Sequence, residues 1–183
     1  YGGVLGAVAA ILLFARVNRL HPLEILDICA AVLPLGHAFG RIGCFLNGCC
    51  HGIRCRGPGG VRFPAGSMAW REQVADGLIG PEAPYSLPVV PTQLIEALAN
   101  LALFAVLYAI ARRHPRRGRV TALYMVLYAL VRFHTEMLRG DARLQVGALS
   151  IGQVASLLLL AIGAGGLLAL RRTPRRVGSP PTP

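Results

Sequence analysis

The chain has 183 residues, of which 54% are apolar and only 15% are charged. Solvated globular surfaces need a larger charged share, so the composition favours a membrane protein over a soluble domain. The formal net charge of +11 raises nucleic-acid binding as an alternative. The arginines, however, lie mostly in short connectors between apolar segments, so membrane topology explains them better and no nucleic-acid partner is expected.

Five apolar segments predict an all-α fold, a polytopic bundle of five transmembrane helices. In chain order they cover residues 2–15, 25–45, 94–111, 120–133 and 149–170. Three of them approach or exceed the ~20 residues that cross a ~30 Å hydrocarbon layer, whereas the first and the fourth are short. The chain opens at Tyr1 without an initiator methionine, so we expect it to be part of a longer protein.

The connectors divide the chain and orient it. A transmembrane domain over residues 1–170 includes an external loop over residues 46–91, and a basic tail over residues 171–183 is expected to be disordered. Alternate connectors of a bundle lie on opposite sides, and eleven arginines fall in one set against six in the other. The positive-inside rule assigns the larger set to the cytoplasm, so a cytoplasmic C-terminus is expected.

Polar side chains from four of the predicted helices lie at one depth, in the outer half of the bundle. At ~1.5 Å per residue, Arg41 lies ~24 Å along the second helix from its cytoplasmic start, and Arg132 ~18 Å along the fourth. The whole layer consists of Arg41, Glu96, Arg132, Glu136 and Gln153. Charges inside spanning helices are costly and usually mark function, so this layer is the candidate site.

Two interpretations of the layer remain open. Four of the fourth helix's polar residues share one face because they recur at every fourth position: Tyr124, Tyr128, Arg132 and Glu136. In the structural interpretation, Arg132 neutralises Glu136, and Arg41 neutralises Glu96. In the functional one, two arginines and a tyrosine hydroxyl bind an anionic group such as a lipid phosphate, because guanidinium forks match phosphate oxygens.

Two ionisable residues of the second helix have local explanations. Asp27 stands at the cytoplasmic start, where a carboxylate stabilises the helix N-terminus and can meet Arg16 or Arg19. His37 is expected to be a packed core imidazole, with membership of the outer-half site as the alternative.

Four ordered motifs resemble prolipoprotein diacylglyceryl transferases. The first is GRIGCFLNG over residues 40–48, and the resemblance extends through YGG at 1–3, PTQLIE at 91–96 and YALVRFHTEMLR at 128–139. SIGQ at 150–153 resembles the entry to that family's last helix. The resemblance implies a protein of about seven helices in the bacterial cytoplasmic (inner) membrane, of which the first two precede this chain.

The resemblance also implies an activity and its residues. The enzyme would transfer a diacylglyceryl group from phosphatidylglycerol to the lipobox cysteine of a preprolipoprotein, forming a thioether and releasing glycerol phosphate, without metal or cofactor. The implied catalytic residues are Arg41, Tyr128, Arg132, Glu136 and Tyr1. The implied lipid-binding residues are Arg41, Cys44, Asn47, Cys49, Gly52, Gln93, Glu96, Arg132 and Arg139. The family commonly has asparagine at Cys44, glutamate at Cys49, and at Tyr1 a histidine suited to activate the thiol.

A dense cysteine segment follows the first motif, with Cys44, Cys49, Cys50, His51 and Cys55 close in sequence. In an oxidising compartment, Cys49 or Cys50 is expected to form a disulfide with Cys55. Metal binding is the alternative, although the segment lacks the usual paired C-x2-C spacing. The other functions considered are therefore a redox- or metal-handling membrane protein and an inactive lipid-binding paralogue on the same scaffold.

Overall fold

The computed structural model of the protein describes residues 2–113, 116–140 and 145–172. Its helices are α1 (Gly2–Val17), α2 (Pro22–Asn47), α3 (Met68–Ala75), α4 (Thr92–Ala111), α5 (Arg119–Met137) and α6 (Ile151–Arg172). Two short antiparallel strands, β1 (Gln145–Val146) and β2 (Leu149–Ser150), form a hairpin before α6. The helical bundle is confirmed, and the short helix α3 and the β-hairpin are the elements that hydropathy did not predict.

Three of the described helices are long and apolar enough to cross a membrane by length and composition: α2, α4 and α6. Helix α1 has 16 residues, which is short for a crossing. Helix α5 has 19 residues but carries the polar face of the predicted site, which lowers its apolar character. The crossings of α1 and α5 therefore stay predictions. Helix α6 continues to Arg172, two residues into the predicted tail, and the remaining tail lies outside the described residues.

Helix α2 begins and ends at recognisable signals. Pro22 occupies its first turn, where the missing N–H costs nothing. Gly48 follows its last residue with a φ of 67°, and its N–H donates to the carbonyls of Cys44 and Phe45. A Cβ at Gly48 would lie 2.9 Å from the Cβ of Ser67, so both the backbone conformation and the neighbouring loop require glycine.

The helices pack in two main pairs, α2 with α4 and α5 with α6. A buried apolar cluster joins α2, α4 and α5 and contains Ala30, Ala31, Leu103, Leu107 and Val120. Helix α6 approaches α5 closely at Gly163, where a Cβ would lie only 2.8 Å from the Cβ of Met125. Many large apolar side chains face outward, as expected for a bundle whose solvent is lipid.

Asp27 caps a neighbouring helix. Its carboxylate accepts hydrogen bonds from the backbone N–H groups of Gly118 and Thr121, at 2.7 and 2.8 Å, and from the Thr121 hydroxyl at 2.7 Å. Asp27 has a structural role, as predicted, but it caps α5 and not its own helix, and the predicted partners, Arg16 and Arg19, were wrong. The first N–H groups of a helix have no partner within that helix, and Asp27 supplies an acceptor for those at the start of α5.

The loop between α2 and α4 is folded. It has its own small core, formed by Phe63, Ala69 and Val89. Phe45 of α2 packs against this core, with its ring centroid 5.5 Å from that of Phe63. Trp70 in α3 donates from Nε1 to the carbonyl of Ala83 at 2.7 Å. The loop therefore forms a cap over one end of the bundle, which we call the loop side.

Candidate functional site

Two carboxylates from different helices connect three arginines on the loop side. Glu96 of α4 contacts Nε of Arg41 through Oε2 at 2.5 Å and NH1 of Arg132 through Oε1 at 3.0 Å. Arg132 also places NH2 2.7 Å from Oε2 of Glu136, one turn further along α5. Arg139 lies 4.0 Å from the same oxygen. These five residues form one connected group, the Arg–Glu network.

The network is buried. The side chains of Glu96 and Glu136 are 4% and 2% exposed, and those of Arg41 and Arg132 are each 19% exposed. Buried carboxylates require ionic or hydrogen-bonded partners, which the arginines supply. Both ion pairs of the structural interpretation are present, and they are joined through Arg132.

Two hydrogen bonds hold the first turn of α4 against the segment that follows α2. Gln93 donates from Nε2 to the carbonyl of Cys49 at 2.7 Å, and the Thr92 hydroxyl donates to the carbonyl of Cys50 at 2.9 Å. Gln93 and Thr92 are each 1% exposed. Glu96 follows one turn later, so these contacts fix the position at which its carboxylate meets Arg41.

Helix α6 joins the network through a capping box. Ser150 precedes the helix, its hydroxyl accepts from the N–H of Gln153 at 3.2 Å, and Gln153 accepts from the N–H of Ser150 through Oε1 at 3.0 Å. The Ser150 hydroxyl also donates to Oε1 of Glu136 at 2.9 Å. Gln153 thus caps α6 at the depth predicted for it, and Ser150 makes the contact with Glu136.

Aromatic rings line the same face of α5. Tyr128 stacks on Tyr124 with centroids 5.4 Å apart, and the His37 ring lies 5.0 Å from that of Tyr128. His37 is packed, as predicted, but its neighbours are the tyrosines of the candidate site. Its Nδ1 is buried and has no hydrogen-bond partner among the described residues.

Gly52 allows a close approach of two backbones. Gly52 pairs with Arg139 in an isolated bridge, and the next residue, Ile53, donates to the carbonyl of Leu138 at 3.0 Å. A Cβ at Gly52 would lie 2.8 Å from that carbonyl oxygen. The loop is therefore held directly against the end of α5, beside the network. The predicted lipid-binding role of Gly52 remains a prediction.

A cavity of about 460 Å³ lies next to this contact, within the loop. Its wall includes Gly52, Gly140, His51 and Glu72. The His51 ring places Nε2 3.0 Å from Oε2 of Glu72 and Nδ1 3.0 Å from the carbonyl of Gly52. Residues of the Arg–Glu network do not line this cavity, so the two are neighbouring features.

The cysteines group differently from the prediction. The sulfur atoms of Cys44, Cys49 and Cys50 all lie within 4.8 Å of one another. All five cysteines of the chain are free, and the thiol of Cys55 lies 3.7 Å from the carbonyl of Gly57. The predicted disulfide of Cys49 or Cys50 with Cys55 was wrong, since Cys55 is free and its N–H donates to the carbonyl of Pro88 at 2.8 Å within the folded loop.

Two predicted site residues, Asn47 and Tyr1, remain to be placed. Asn47 is exposed at the end of α2, and its side chain makes no hydrogen bond among the described residues. Tyr1 lies outside the described residues. Sequence reasoning missed the roles of Thr92, Ser150 and Asn100, which is 2% exposed and donates to the carbonyl of Glu96 at 2.8 Å. The S-x-x-Q pattern and the Glu96–Asn100 spacing were the available signals.

Comparisons with known proteins agree with the motifs. The family model described as prolipoprotein diacylglyceryl transferase matches residues 1–169. The protein named phosphatidylglycerol–prolipoprotein diacylglyceryl transferase 2 in Clostridium perfringens is 34% identical over 92% of this chain and 59% of its own length. The proteins named phosphatidylglycerol–prolipoprotein diacylglyceryl transferase in Clostridium tetani and in Stenotrophomonas maltophilia are 33% and 34% identical to this chain.

These two matches cover 89% and 95% of this chain and 60% and 62% of the relatives. The chain thus spans less than two thirds of the length of each relative. The apolar helices and the family match identify a multi-pass membrane protein. Over nearly its whole length, the chain belongs to the prolipoprotein diacylglyceryl transferase family.

Proposed function

We propose that the protein transfers a diacylglyceryl group from phosphatidylglycerol to the lipobox cysteine of preprolipoproteins in the bacterial cytoplasmic membrane. The observation that carries this proposal is the buried Arg–Glu network, in which Arg41 and Arg132 converge on Glu96. The names of the relatives state phosphatidylglycerol and prolipoprotein as the substrates of those proteins. No metal or cofactor enters the proposal.

The reaction sets a clear electrostatic requirement. The thiolate sulfur forms a bond to the glycerol carbon that carries the phosphate ester, and the bond between that carbon and the ester oxygen breaks. The electron pair stays on the oxygen, so the departing glycerol phosphate gains one negative charge, and the thiol proton goes to a base. Cationic donors fixed in advance at the phosphate stabilise this developing charge most effectively.

The network meets this requirement with Arg41 and Arg132, whose guanidinium groups converge on one carboxylate. A phosphodiester carries one negative charge, which these two cations attract. The attraction then grows as the second charge develops on the leaving phosphate. An interaction that strengthens toward the transition state accelerates the reaction, whereas one that binds substrate and transition state equally does not.

The two central arginines have different surroundings. Arg132 places one terminal nitrogen on Glu96 and the other on Glu136, so its guanidinium already bridges two carboxylates. Arg41 pairs with Glu96 alone among the described carboxylates. We therefore assign Arg41 as the leading phosphate ligand. Arg132 is assigned to a second contact and to holding Glu96 in place for Arg41.

His37 is our candidate for accepting the thiol proton. Its ring lies against Tyr128, whose position on α5 is one turn before Arg132. Its buried Nδ1 lacks a protein partner among the described residues, so it is able to take a hydrogen bond from a substrate. Imidazole is the side chain that exchanges protons most readily near neutral pH. The carboxylates of the network are ion-paired and therefore poorer bases.

The orientation of the bundle follows from the arginine distribution. Eleven arginines in one set of connectors against six in the other support a cytoplasmic C-terminus and an external loop. In that orientation the network lies near the outer face.

The test is rescue of a strain depleted of its own transferase. We expect the full-length protein to restore lipidation of a reporter lipoprotein, and Arg41→Gln to abolish that rescue at matched protein level. Arg117→Gln is the matched control, because Arg117 forms an exposed pair with Glu24 at the far end of α2. Failure of the correctly inserted wild-type protein to lipidate the reporter would contradict the proposed function.

A further inference from the structure

Three sulfur atoms converge where α2 ends. Cys44 lies in the last turn of the helix, and the left-handed Gly48 turns the chain back so that the N–H of Cys49 donates to the carbonyl of Cys44 at 3.1 Å. The Cys49 thiol lies 3.7 Å from the same carbonyl. Cys50 completes the group, and all three sulfurs lie within 4.8 Å of one another. We call these residues the three-cysteine cluster.

The cluster is built on an unusual and well-supported backbone. Cys50 has a φ of 58°, in the left-handed region that residues other than glycine rarely occupy. Such conformations persist where surrounding contacts impose them, and they concentrate at functional sites. Here the contacts are the buried side chains of Gln93 and Thr92, which bind the carbonyls of Cys49 and Cys50.

The sulfur spacing suits a metal ion. Metal–thiolate bonds of about 2.3 Å place the sulfurs of a trigonal or tetrahedral site roughly 3.8–4.0 Å apart. The cluster is within about 1 Å of that spacing, which side-chain rotation can supply. A disulfide between the adjacent Cys49 and Cys50 is unfavourable by contrast, because neighbouring Cα atoms are ~3.8 Å apart, below the usual disulfide range.

The ligand set selects the ion. In the described part of the chain, no histidine, further cysteine or carboxylate joins the three sulfurs within the same distance. His51, the nearest imidazole in sequence, is engaged with Glu72 and with the carbonyl of Gly52. Structural zinc sites take four protein ligands, whereas three soft thiolates suit a monovalent soft ion.

We propose that Cys44, Cys49 and Cys50 form a trigonal thiolate site for Cu(I). Binding releases the three thiol protons and forms three Cu–S bonds without change in oxidation state. The occupied site carries two formal negative charges, and Arg41, one turn before Cys44 on α2, supplies positive charge nearby. The proposal does not depend on diacylglyceryl transfer.

Its test is an anaerobic Cu(I) titration of the reduced full-length protein, purified in detergent, against a chromophoric Cu(I) chelator. We expect the wild-type protein to take one equivalent of Cu(I) from the chelator. The Cys44→Ser/Cys49→Ser/Cys50→Ser variant should take none, and X-ray absorption of the loaded wild-type protein should show three sulfur neighbours. The matched controls are Cys29→Ser and Cys55→Ser, which should each retain one equivalent.

Several results would overturn the site. They are no uptake by the wild-type protein, unchanged uptake by the triple variant, and loss of two titratable thiols to a disulfide within the cluster. Preferential uptake of Zn(II) with four ligands would overturn the assignment of Cu(I). If the triple variant does not fold, the same titration is made with each single Cys→Ser variant of the cluster, after size-exclusion chromatography has shown that the variant is folded. Lipidation is measured separately, so the metal site and the proposed function fail independently.

Discussion

Arg132 of α5 lies 3.0 Å from Glu96 of α4, and the same guanidinium reaches Glu136 at 2.7 Å. This geometry needs a planar, forked donor, since two carboxylates on different helices are contacted by two nitrogens of one side chain. An ammonium group offers a point charge and does not reproduce the fork.

We therefore expect Arg132→Lys in the full-length protein to lose most lipidation while its membrane insertion stays intact. A charge-assisted contact of ~1.5 to 3 kcal/mol that strengthens as the phosphate leaves corresponds to roughly one to two orders of magnitude in rate. The measurement is reporter lipidation at matched protein level. Near-normal activity of the Lys variant, or recovery in Arg132→Gln/Glu136→Gln, would assign Arg132 a purely structural role.

Glu96→Gln should destabilise the bundle. The variant leaves Arg41 and Arg132 without their shared carboxylate, and removal of one partner from a buried ion pair costs about 3–5 kcal/mol. Thermal unfolding in detergent measures the change. Glu24→Gln is the control, because the exposed pair with Arg117 contributes about 0–1 kcal/mol. Equal melting temperatures for the two variants would show that the network does not stabilise the fold.

Gly163 and Gly165 on α6 offer a matched pair. A Cβ at Gly163 would lie 2.8 Å from the Cβ of Met125 on α5, whereas a Cβ at Gly165 would meet nothing within 4 Å. Gly163→Ala should destabilise by ~1–3 kcal/mol through overpacking of the α5–α6 interface. Gly165→Ala should be neutral or stabilise by up to ~1 kcal/mol. Thermal unfolding that ranks the variants in the opposite order would contradict the α5–α6 packing.

The proposed orientation is tested with reporters. A reporter fused after Pro183 should be cytoplasmic, and one inserted near Gly66 should be external, as the eleven-to-six arginine asymmetry indicates. Gly66 suits the insertion because it lies in an exposed turn before α3. The reverse pattern would place the Arg–Glu network near the cytoplasmic face.

Hydropathy predicted the long helices well, because membrane thickness and the fixed rise of a helix limit where they begin and end. The second segment, predicted over residues 25–45, is Pro22–Asn47 in the structure. The same fixed rise explains why Arg41, Glu96 and Arg132 were placed at one depth and are found in contact. Their roles in lipid binding and catalysis stay predictions.

The misses share a physical cause, which is dependence on contacts and turns that form only in the folded chain. Asp27 binds N–H groups at the start of α5, a helix that is distant from it in the sequence. Cys50 joins Cys44 because its backbone is left-handed, while Cys55 is held by Pro88 across the loop. Hydropathy and spacing carry no information on such turns, so the sequence predicted a dense cysteine segment without its grouping.

The contacts of Asp27 have a mechanical consequence. They tie α2 to α5 at the end away from the loop, while Glu96 links Arg41 and Arg132 of the same two helices at the other end. Two helices that are linked at both ends resist separation and relative rotation. Relative movement among the described helices should therefore involve α1, which packs mainly against α2, before it separates α2 from α5.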